Sequence, residues 1–497
     1  MDTWPPCPAP FNLAHHVIAA SARRLPHKIA LQVVRQSGAE RWSYARLEAA
    51  VRGCGTGLLR MGLQPGDRVL MRVGNGVAFP VLFLGAIAAG LVPVPTSVAL
   101  TGAEITRMAG VVGPALIVAD GGADVALPDP LPCPVITAAE VLAMEALPPC
   151  DWAMGDPDRL AYAVFTSGTS GRAMAVGHAH RAIWARGMMH QGWEGLSEGD
   201  RLLHAGAMNW TYTLGTGLMD PWTVGATALV PAAGVPVEAL GLLLKRFDAT
   251  IFAAAPGVVR QMLRGPLPPL PKLRHALVAG EAMPAALADD WRAKTGTDVH
   301  EALGMSECST FVSGSPARPA PRGAAGYPQA GRRVTVLDAA DGAGVLAVHR
   351  SDPGLMLGYL GDDAATAARY RGDWFVTGDI VQQAADGAIT YLGRLDEMMN
   401  AGGYRVSPLD VEAAFAGVAE VAVTEVEVKP GVKVIAGFYA GAADEAALQA
   451  RSEAALARWK QPRLWMAVDA LPRSANNKLN RRALQALYAE RAARDPS

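Results

Sequence analysis

The stretch TSGTSGRAM, residues Thr166–Met174, is a loop of small hydroxyl residues and glycines next to an arginine. It follows LAYAVF (Leu160–Phe165), a predicted strand, and precedes GHAHRAIWARGMMH (Gly177–His190), which we predict to open a helix. Such a loop between a strand and a helix offers backbone N–H groups and hydroxyls to phosphate oxygens. It is not a Walker A loop, because that motif needs Gly-Lys-Ser/Thr at the helix start. Taken alone, the stretch predicts either a phosphate loop or an ordinary glycine-rich turn.

Short apolar runs alternate with helical patterns on both sides of this loop. Alanine- and leucine-rich segments such as Val237–Phe247 have helical spacing, and the runs between such segments are typical of buried strands. Alternation of this kind over several hundred residues predicts an α/β fold with largely parallel sheets. The clearest predicted strands are Asp67–Asn75, Ala115–Asp120, Ala226–Pro231, Ala249–Pro256 and His275–Gly280.

The pattern changes twice in the last third of the chain. From about Pro319 to Leu392, Gly/Pro turns separate short apolar runs, which predicts a smaller β-rich section. A compact α+β unit follows, in which helix Ser407–Gly417 has an N-cap serine and a proline at its first position. Its other predicted elements are strands Val421–Val428 and Lys433–Ala440 and helix Asp444–Trp459. We therefore predict a large N-terminal domain over residues 1–394 and a small C-terminal domain over residues 395–497.

Length and composition exclude several classes of protein. A chain of 497 residues exceeds what one hydrophobic core usually organises. An apolar content of 51% with 18% charged residues is typical of a globular enzyme. Lys+Arg 45 against Asp+Glu 46 leaves a net charge of −1, so neither a nucleic-acid partner nor an anionic membrane is expected.

Nothing in the sequence predicts a secretory signal or a membrane span. The longest apolar window, Val81–Pro95, is broken by glycine and proline and reads as a buried helix followed by a strand. The N-terminus has neither a basic nor an apolar signal region. The five cysteines show no CxxC spacing, so free thiols in a reducing compartment, and hence a cytoplasmic location, fit best. We interpret Cys308 as a packing residue, because no partner base is identifiable.

Three further segments carry residues suited to nucleotide chemistry. Glu307 in EALGMSECS (Glu301–Ser309) follows a predicted strand and suits Mg²⁺, which takes carboxylate oxygens. Asp379 follows a Thr-Gly turn and is suited to accepting hydrogen bonds from ribose hydroxyls, and Lys478 stands in a polar loop near the end of the chain. Each residue also has a simpler interpretation: a solvated glutamate, a turn aspartate bonded to its own backbone, or a surface lysine.

Together and in order, five segments resemble the adenylate-forming superfamily of acyl-CoA synthetases, peptide-synthetase adenylation domains and luciferases. TSGTSGRAM is similar to its phosphate loop, ALGMSE to its Tyr-Gly-x-Thr-Glu segment and DWFVTGD to its Gly-Trp-x-x-Thr-Gly-Asp segment. GRLDEMMNAGGYRVSPLDVE resembles its hinge and following hairpin, and PRSANNK its C-terminal lysine loop. Weaker similarity runs from about Ala14 to Tyr488. His204–Thr227 resembles a segment of acetyl- and medium-chain acyl-CoA synthetases, which implies a carboxylate–CoA ligase.

The resemblance implies a two-step reaction that uses ATP, Mg²⁺ and coenzyme A. A carboxylate attacks the α-phosphate of ATP to give acyl-AMP and pyrophosphate, and the CoA thiol then displaces AMP. The implied catalytic residues are Lys478, which bridges the acid and the α-phosphate, Ser306 on that phosphate, and Glu307 on Mg²⁺. The implied nucleotide-binding residues are Thr166, Ser167, Gly168, Thr169, Ser170, Gly171, Arg172, Gly280, Glu281, Leu303, Gly304, Asp379 and Arg394.

The resemblance also implies that the small domain rotates about a hinge at Asp396. Rotation removes Lys478 from the site and brings in the hairpin Gly402, Gly403, Tyr404 and Arg405 to line the CoA tunnel, where glycine permits close backbone approach. Three departures from the family pattern stand out. Ala173-Met174-Ala175 replaces Pro-Lys-Gly, Leu303 replaces the tyrosine that stacks on adenine, and Asn476-Asn477-Lys478 replaces Ser-Gly-Lys. The first two imply weaker ATP binding or an altered nucleotide preference, and Arg172 is our hypothetical substitute for the missing lysine.

By the same resemblance, the acid pocket is formed by Trp210–Gly217, Val278–Ala282 and Gly304–Met305. Aromatic and methionine side chains predict an apolar pocket for a small aliphatic or aryl acid, and no Arg or Lys lies in Met208–Gly217. The candidate lining residues are His204, Trp210, Tyr212, Gly215 and Met305. Transfer to a carrier protein, a non-catalytic nucleotide-binding homologue and a homodimer stay open.

Overall fold

The computed structural model describes residues 4–121, 125–167, 173–340, 342–401, 404–429, 432–441, 443–473 and 479–494. In chain order its strands are β1 (Ile29–Val34), β2 (Ala39–Ser43), β3 (Arg68–Arg72), β4 (Val92–Pro95), β5 (Leu116–Ala119), β6 (Val135–Thr137), β7 (Leu160–Ser167), β8 (Ala173–Ala179), β9 (Arg201–His204), β10 (Thr227–Pro231), β11 (Ile251–Ala254), β12 (His275–Ala279), β13 (Asp298–Met305), β14 (Ser309–Ser313), β15 (Tyr327–Pro328), β16 (Val334–Ala340), β17 (Ala343–His349), β18 (Gly358–Tyr359), β19 (Tyr370–Arg371), β20 (Trp374–Gln383), β21 (Ile389–Arg394), β22 (Met399–Ala401), β23 (Tyr404–Val406), β24 (Glu420–Lys429), β25 (Val432–Ala440) and β26 (Leu464–Val468).

Helices alternate with these strands through most of the chain. The α-helices are α1 (Leu13–Arg24), α2 (Tyr44–Arg60), α3 (Ala78–Ala88), α4 (Gly102–Val112), α5 (Ala138–Ala143), α6 (Arg181–Met189), α7 (Asp220–Val224), α8 (Leu240–Arg246), α9 (Pro256–Leu263), α10 (Ala285–Thr295), α11 (Asp363–Ala367), α12 (Pro408–Ala413), α13 (Glu445–Ala455) and α14 (Arg481–Arg494). Short 3₁₀ turns cover Met144–Ala146 and Val237–Ala239, and π-helical turns cover His190–Glu194 and Thr213–Met219.

A nine-stranded sheet positions most of the candidate site. Its strand order is β15-β14-β13-β12-β11-β9-β10-β1-β2, and all neighbours from β13 to β1 run parallel. The fully buried apolar runs of β10, β11 and β12 explain this arrangement, because parallel strands covered on both faces read as continuous apolar sequence. The carboxyl ends of parallel strands lie at one edge, so the segments after β9, β12 and β13 lie near one another.

A second, four-stranded parallel sheet has the order β4-β3-β5-β6. It contains the two predicted strands Asp67–Asn75 and Ala115–Asp120, and the window Val81–Pro95 forms α3 followed by β4, as predicted. Every residue of α3 is buried, which explains why the helix is apolar on all sides. The α/β prediction is therefore confirmed for the larger part of the chain.

The predicted helix start at Gly177 is wrong. Residues Ala173–Ala179 form β8, which pairs antiparallel with β7 and with β18, and the helix begins at Arg181. The described ends of TSGTSGRAM, Thr166–Ser167 and Ala173–Met174, therefore pair with each other in antiparallel strands, and the segment that follows them is a strand and not a helix. The small side chains of Ala175, Val176 and Gly177 fit against β18, which is a partner from nearly two hundred residues further along the chain.

The last third of the chain follows the predicted pattern. Strands β16, β17, β19, β20 and β21 form the β-rich section, and β24-β25-β26 form a separate small sheet with α12, α13 and α14. The helix predicted over Asp444–Trp459 ends at Ala455, because Leu456 adopts an extended backbone. Two hydrophobic cores of this small unit contain only residues from Met399 onward. The boundary between residues 394 and 395 stays a prediction.

Two predictions about the chain as a whole can be compared with the described residues. None of the helices in the described ranges is long and apolar enough to cross a membrane. All five cysteines are free thiols, and Cys308 is fully buried, where burial raises its pKa well above the ordinary range. A neutral, buried thiol fits the packing role predicted for Cys308.

Candidate active site

A cleft of about 1840 Å³ lies at the carboxyl edge of the nine-stranded sheet and extends to the small C-terminal unit. It brings together residues that the sequence predicted from five separate segments. Those residues are Thr166, Gly280, Glu281, Leu303, Gly304, Met305, Ser306, Glu307, Asp379, Arg394 and Asp396. His204, Trp210, Tyr212 and Gly215 are not among the described residues that line this cleft.

Glu307 is a buried carboxylate held from the side by Tyr359. The Tyr359 hydroxyl donates to Glu307 Oε1 at 2.7 Å, and the Met356 N–H donates to the Glu307 carbonyl at 2.7 Å. Glu307 is 7% exposed, and both Glu307 and Tyr359 line the cleft. The described residues contain no group of three or more His, Cys, Asp or Glu that could hold a metal by themselves. A single carboxylate beside a phosphate site fits Mg²⁺, which takes one or two carboxylates together with substrate phosphates.

The backbone of Ser306 is fixed by a neutral histidine. His178 Nε2 lies 2.8 Å from the Ser306 carbonyl and therefore carries the proton of this hydrogen bond. Burial lowers the pKa of His178 to about 4, so the ring is neutral near pH 7. His178 comes from β8 and stacks on Tyr162 of β7. The hairpin that carries the predicted phosphate loop thus also holds the Ser306–Glu307 turn.

Asp379 and Arg394 form an ion pair on the opposite wall. Arg394 Nη1 lies 2.9 Å from Asp379 Oδ1 and donates to the Thr377 carbonyl at 2.9 Å. Arg394 Nε lies 3.5 Å from Asp396 Oδ1. Burial opposes the charge of Arg394, but Asp379 and Asp396 raise the pKa of its guanidinium above the ordinary range. The predicted ribose residues and the predicted hinge residue are therefore in direct contact with one another.

The wall between these groups is built from strand β13. Gly304 cannot be replaced by a larger residue, because a Cβ there would overlap the backbone of Ser309. Gly280 has φ +95°, a left-handed backbone that favours glycine. Glu301, which the sequence did not single out, also lines the cleft, and burial raises its pKa to about 8. Its position two residues before Leu303 places both side chains on the same face of the strand, and that spacing was the available signal.

The candidate acid residues form a packed aromatic cluster behind the cleft. His204 is fully buried, and its Nδ1 accepts from the Gly206 N–H at 3.0 Å. Burial lowers the pKa of His204 to about 3, so the ring is neutral. Tyr212 lies edge-on to His204 at 4.3 Å and donates to the Leu277 carbonyl at 2.9 Å. Trp210 is half-buried and packs edge-on against Tyr212.

An arginine that sequence reasoning missed lies behind Gly215. The Arg186 guanidinium of α6 occupies the space that a Cβ on Gly215 would need. The absence of Arg and Lys from Met208–Gly217 therefore does not make this region free of cations. No local pattern could have indicated the contact, because the two residues are separated by strand β9 and two turns.

Several predicted residues lie outside the described residues: Gly168, Thr169, Ser170, Gly171, Arg172, Gly402, Gly403 and Lys478. Their neighbours in the chain are described. Thr166 pairs with Met174 across the hairpin, and both line the cleft. Arg473 pairs with Leu479 on either side of the lysine loop, and both line the cleft as well.

Comparison with known proteins gives concordant matches over most of the chain. Residues 18–360 match the family model described as AMP-binding enzyme. The chain is 30% identical to a benzoate–CoA ligase of Thauera aromatica, over 88% of this chain and 90% of that protein. It is 29% identical to a 4-hydroxybenzoate–CoA/benzoate–CoA ligase of Rhodopseudomonas palustris, over 89% of this chain and 88% of that protein. The crystal structure of a benzoate CoA ligase from Burkholderia xenovorans superposes with a TM-score of 0.86 at 27% identity, over 96% of this chain and all of that one.

Proposed function

The chain belongs to the AMP-binding enzymes, in the carboxylate–CoA ligase branch of the adenylate-forming superfamily, and we propose that its acid substrate is an aryl carboxylate. The ligase is AMP-forming and uses ATP and CoA. The observation that supports an aryl substrate most strongly is the 30% identity to a benzoate–CoA ligase over 88% of this chain. The half-buried indole of Trp210 supports it, because a flat apolar face suits an aryl ring.

In the first step, the acid carboxylate attacks the α-phosphorus of ATP and pyrophosphate leaves. In-line displacement at phosphorus needs alignment and charge neutralisation more than covalent help from the protein. We assign the ribose to the Asp379–Arg394 pair, the adenine to the wall of Gly280, Glu301 and Leu303, and the α-phosphate to Ser306. Glu307 and the phosphate oxygens would hold Mg²⁺, which supplies positive charge to the phosphates.

We assign to Lys478 the positive charge that lies between the acid carboxylate and the α-phosphate. Its assignment is supported by its neighbours Arg473 and Leu479, which line the same cleft as Ser306 and Asp379. The second step needs the CoA thiol to approach the acyl-AMP from an open side. We propose that the small unit moves about Asp396 for this step, so that Lys478 leaves and the Gly402–Gly403 hairpin lines the path of the thiol.

We also propose that the reaction takes place in the cytoplasm. The five free cysteines support this location, because cysteines stay reduced in that compartment.

The test is a panel of carboxylic acids scored by pyrophosphate release and by acyl-CoA formation. Benzoate, hydroxybenzoates and aminobenzoates are compared with acetate, butyrate, hexanoate and malonate. We expect the highest kcat/KM for an aryl acid, together with an acyl-CoA product identified by mass spectrometry. Preference for an aliphatic acid by tenfold or more contradicts the aryl proposal. Pyrophosphate release without acyl-CoA would identify a different acceptor, such as a carrier protein.

A further inference from the structure

Arg186 makes the most extensive set of buried contacts near the candidate acid residues. It lies on α6, and its side chain is 7% exposed. Its Nε donates to Asp220 Oδ1 at 2.8 Å and its Nη2 to Thr216 Oγ1 at 3.1 Å, with a second, short contact to Asp220 Oδ2. Its Nη1 donates to Ser309 Oγ in another short contact. One guanidinium thus joins four elements: α6, the π-helical turn Thr213–Met219, the start of α7, and strand β14.

The π-helical turn is shaped to receive this side chain. A Cβ on Gly215 would overlap the guanidinium, and a Cβ on Gly217 would lie 2.8 Å from His204 Cβ and 3.0 Å from Cγ of its ring. The turn is therefore fixed between Arg186 on one side and His204 on the other. π-Helical turns are rare and are often found at functional sites. The contact with Arg186 explains why residue 215 is a glycine, and a direct contact between Gly215 and the acid is not needed for that explanation.

The contact with Ser309 connects Arg186 to the nucleotide side of the cleft. Ser309 has φ +66° and pairs with Met305 across the turn that contains Ser306 and Glu307. A shift of Ser309 would therefore displace Met305 and the Glu307 carboxylate, both of which line the cleft.

The charges around Arg186 stabilise its ion pair with Asp220. Burial opposes the charge of Asp220, but the Arg186 guanidinium and His190 hold the pKa of that carboxyl below its usual range. Burial, and then the nearby Asp220, raise the pKa of Glu194 well above its ordinary value. Neither Glu194 oxygen meets hydrogen-bond geometry with a partner in the described part of the chain, so a neutral Glu194 does not compete for the guanidinium.

We propose that Arg186 is a positioning residue for the ligase reaction. It fixes the position of the turn Thr213–Met219, which lies beside the candidate acid residues, relative to the Ser306–Glu307 turn. It thereby sets the approach of the acid carboxylate to the α-phosphate. This inference rests on the proposed placement of the acid beside Trp210 and Tyr212.

The decisive variant replaces the ion pair by apolar residues, Arg186→Met with Asp220→Leu. Replacement of a buried ion pair by apolar residues of similar volume is often neutral for stability, so we expect a Tm close to wild type. We expect KM for the acid to rise and the adenylation rate to fall by about 10-fold or more, because a displaced reacting group loses alignment. CoA-dependent turnover of supplied acyl-AMP should stay within about twofold.

Two further variants keep the proposal falsifiable if the double variant does not fold. Ser309→Ala removes the bond from Arg186 together with a weak contact to Met189 Sδ, and we expect an adenylation rate reduced by about threefold or more at unchanged Tm. Arg274→Met, which breaks the 2.8 Å pair with Asp200 at a distance from the cleft, is the matched control and should leave all kinetic constants unchanged.

The proposal is overturned by wild-type acid kinetics in the double variant and in Ser309→Ala, or by equal losses in both half-reactions. All kinetics use the acid that wild type prefers. A preference for an aliphatic acid therefore refutes the aryl proposal without affecting this test.

Discussion

Within the described part of the chain, Tyr359 is the residue whose hydrogen bond orients the candidate metal-binding carboxylate. Its hydroxyl is the hydrogen-bond partner of Glu307 Oε1, and the two residues are far apart in sequence. Loss of such an outer partner typically lowers metal affinity by about 10- to 100-fold, because the ligand oxygen is no longer held in place. For Tyr359→Phe we expect a rise of this order in the Mg²⁺ concentration needed for half-maximal pyrophosphate release.

Tyr370→Phe is a suitable control for this measurement, since Tyr370 packs edge-on against Phe375 in the same β-rich section. An unchanged Mg²⁺ dependence in Tyr359→Phe, with KM for the acid altered instead, would show that Tyr359 serves the acid and not Glu307.

Glu301 gives the folded protein a pH dependence of its own. Because burial raises its pKa to about 8, the folded state holds this proton more tightly than the unfolded state, where the pKa has its ordinary value near 4.5. The resulting stability is fully present below about pH 4.5 and is lost as pH rises to about 8. For Glu301→Gln we expect Tm to fall less than that of wild type between pH 5 and pH 8, as measured by thermal melts. Parallel Tm curves for the two proteins would contradict this assignment.

Contacts between distant residues explain which parts of the site the sequence could indicate. Glu307 and Asp379 stand in motifs whose neighbours in sequence are also their neighbours in space, so their position in the cleft was predictable. Arg186 acts through Ser309, more than a hundred residues away, and Tyr359 reaches Glu307 through the pairing of β18 with β8. Neither partner has a local pattern, so only the fold brings them together.

At the scale of elements, the turn before Asp379 depends on a glycine for two reasons. Gly378 has φ +80°, and a Cβ there would lie 2.7 Å from Arg394 Nη2. Gly372 has φ +58° but no atom within 4 Å of its Cβ position. Both Gly→Ala substitutions should therefore cost about 1–2 kcal/mol in stability from the left-handed backbone, whereas only Gly378→Ala should displace the ribose pair.

We expect KM for ATP to rise about fivefold or more in Gly378→Ala and to stay at the wild-type value in Gly372→Ala. Steady-state kinetics at saturating acid and CoA separate the two outcomes. Equal KM values in the two variants would mean that Arg394 does not contribute to nucleotide binding.

The elements predicted correctly are those whose own residues dictate them. β11 and β12 are short, fully buried apolar runs, and α12 begins at a serine cap followed by proline, so no distant information was needed. β8 was missed because its small residues favour neither a strand nor a helix clearly: the sequence pattern places Ala173–Met174 in the loop and Gly177–Ala179 in the following helix. The choice is decided by pairing with β7 and β18, which is a property of the tertiary structure.

At the scale of the whole molecule, the two half-reactions should respond differently to the loss of Lys478. For Lys478→Ala we expect acid-dependent pyrophosphate release to fall by about 10²-fold or more, as for loss of a preorganised charge in the transition state. Formation of the thioester from supplied acyl-AMP and CoA should be largely unchanged, because the proposed rotation about Asp396 removes Lys478 from the site before that step. Equal loss in both assays would rule out this division of labour.

The separate cores of the small C-terminal unit bear on how enzymes of this kind diversify. Because its two cores use only residues from Met399 onward, substitutions that retune the acid side leave the packing of this unit untouched. We therefore expect that substitutions which change acid preference need no compensating substitutions in the cores of the small unit. In a chimera of two related ligases joined after Asp396, we expect the thiol acceptor to follow the donor of the C-terminal unit and the acid preference to follow the donor of the N-terminal part. The segment after Asp396 is therefore a suitable junction for recombination.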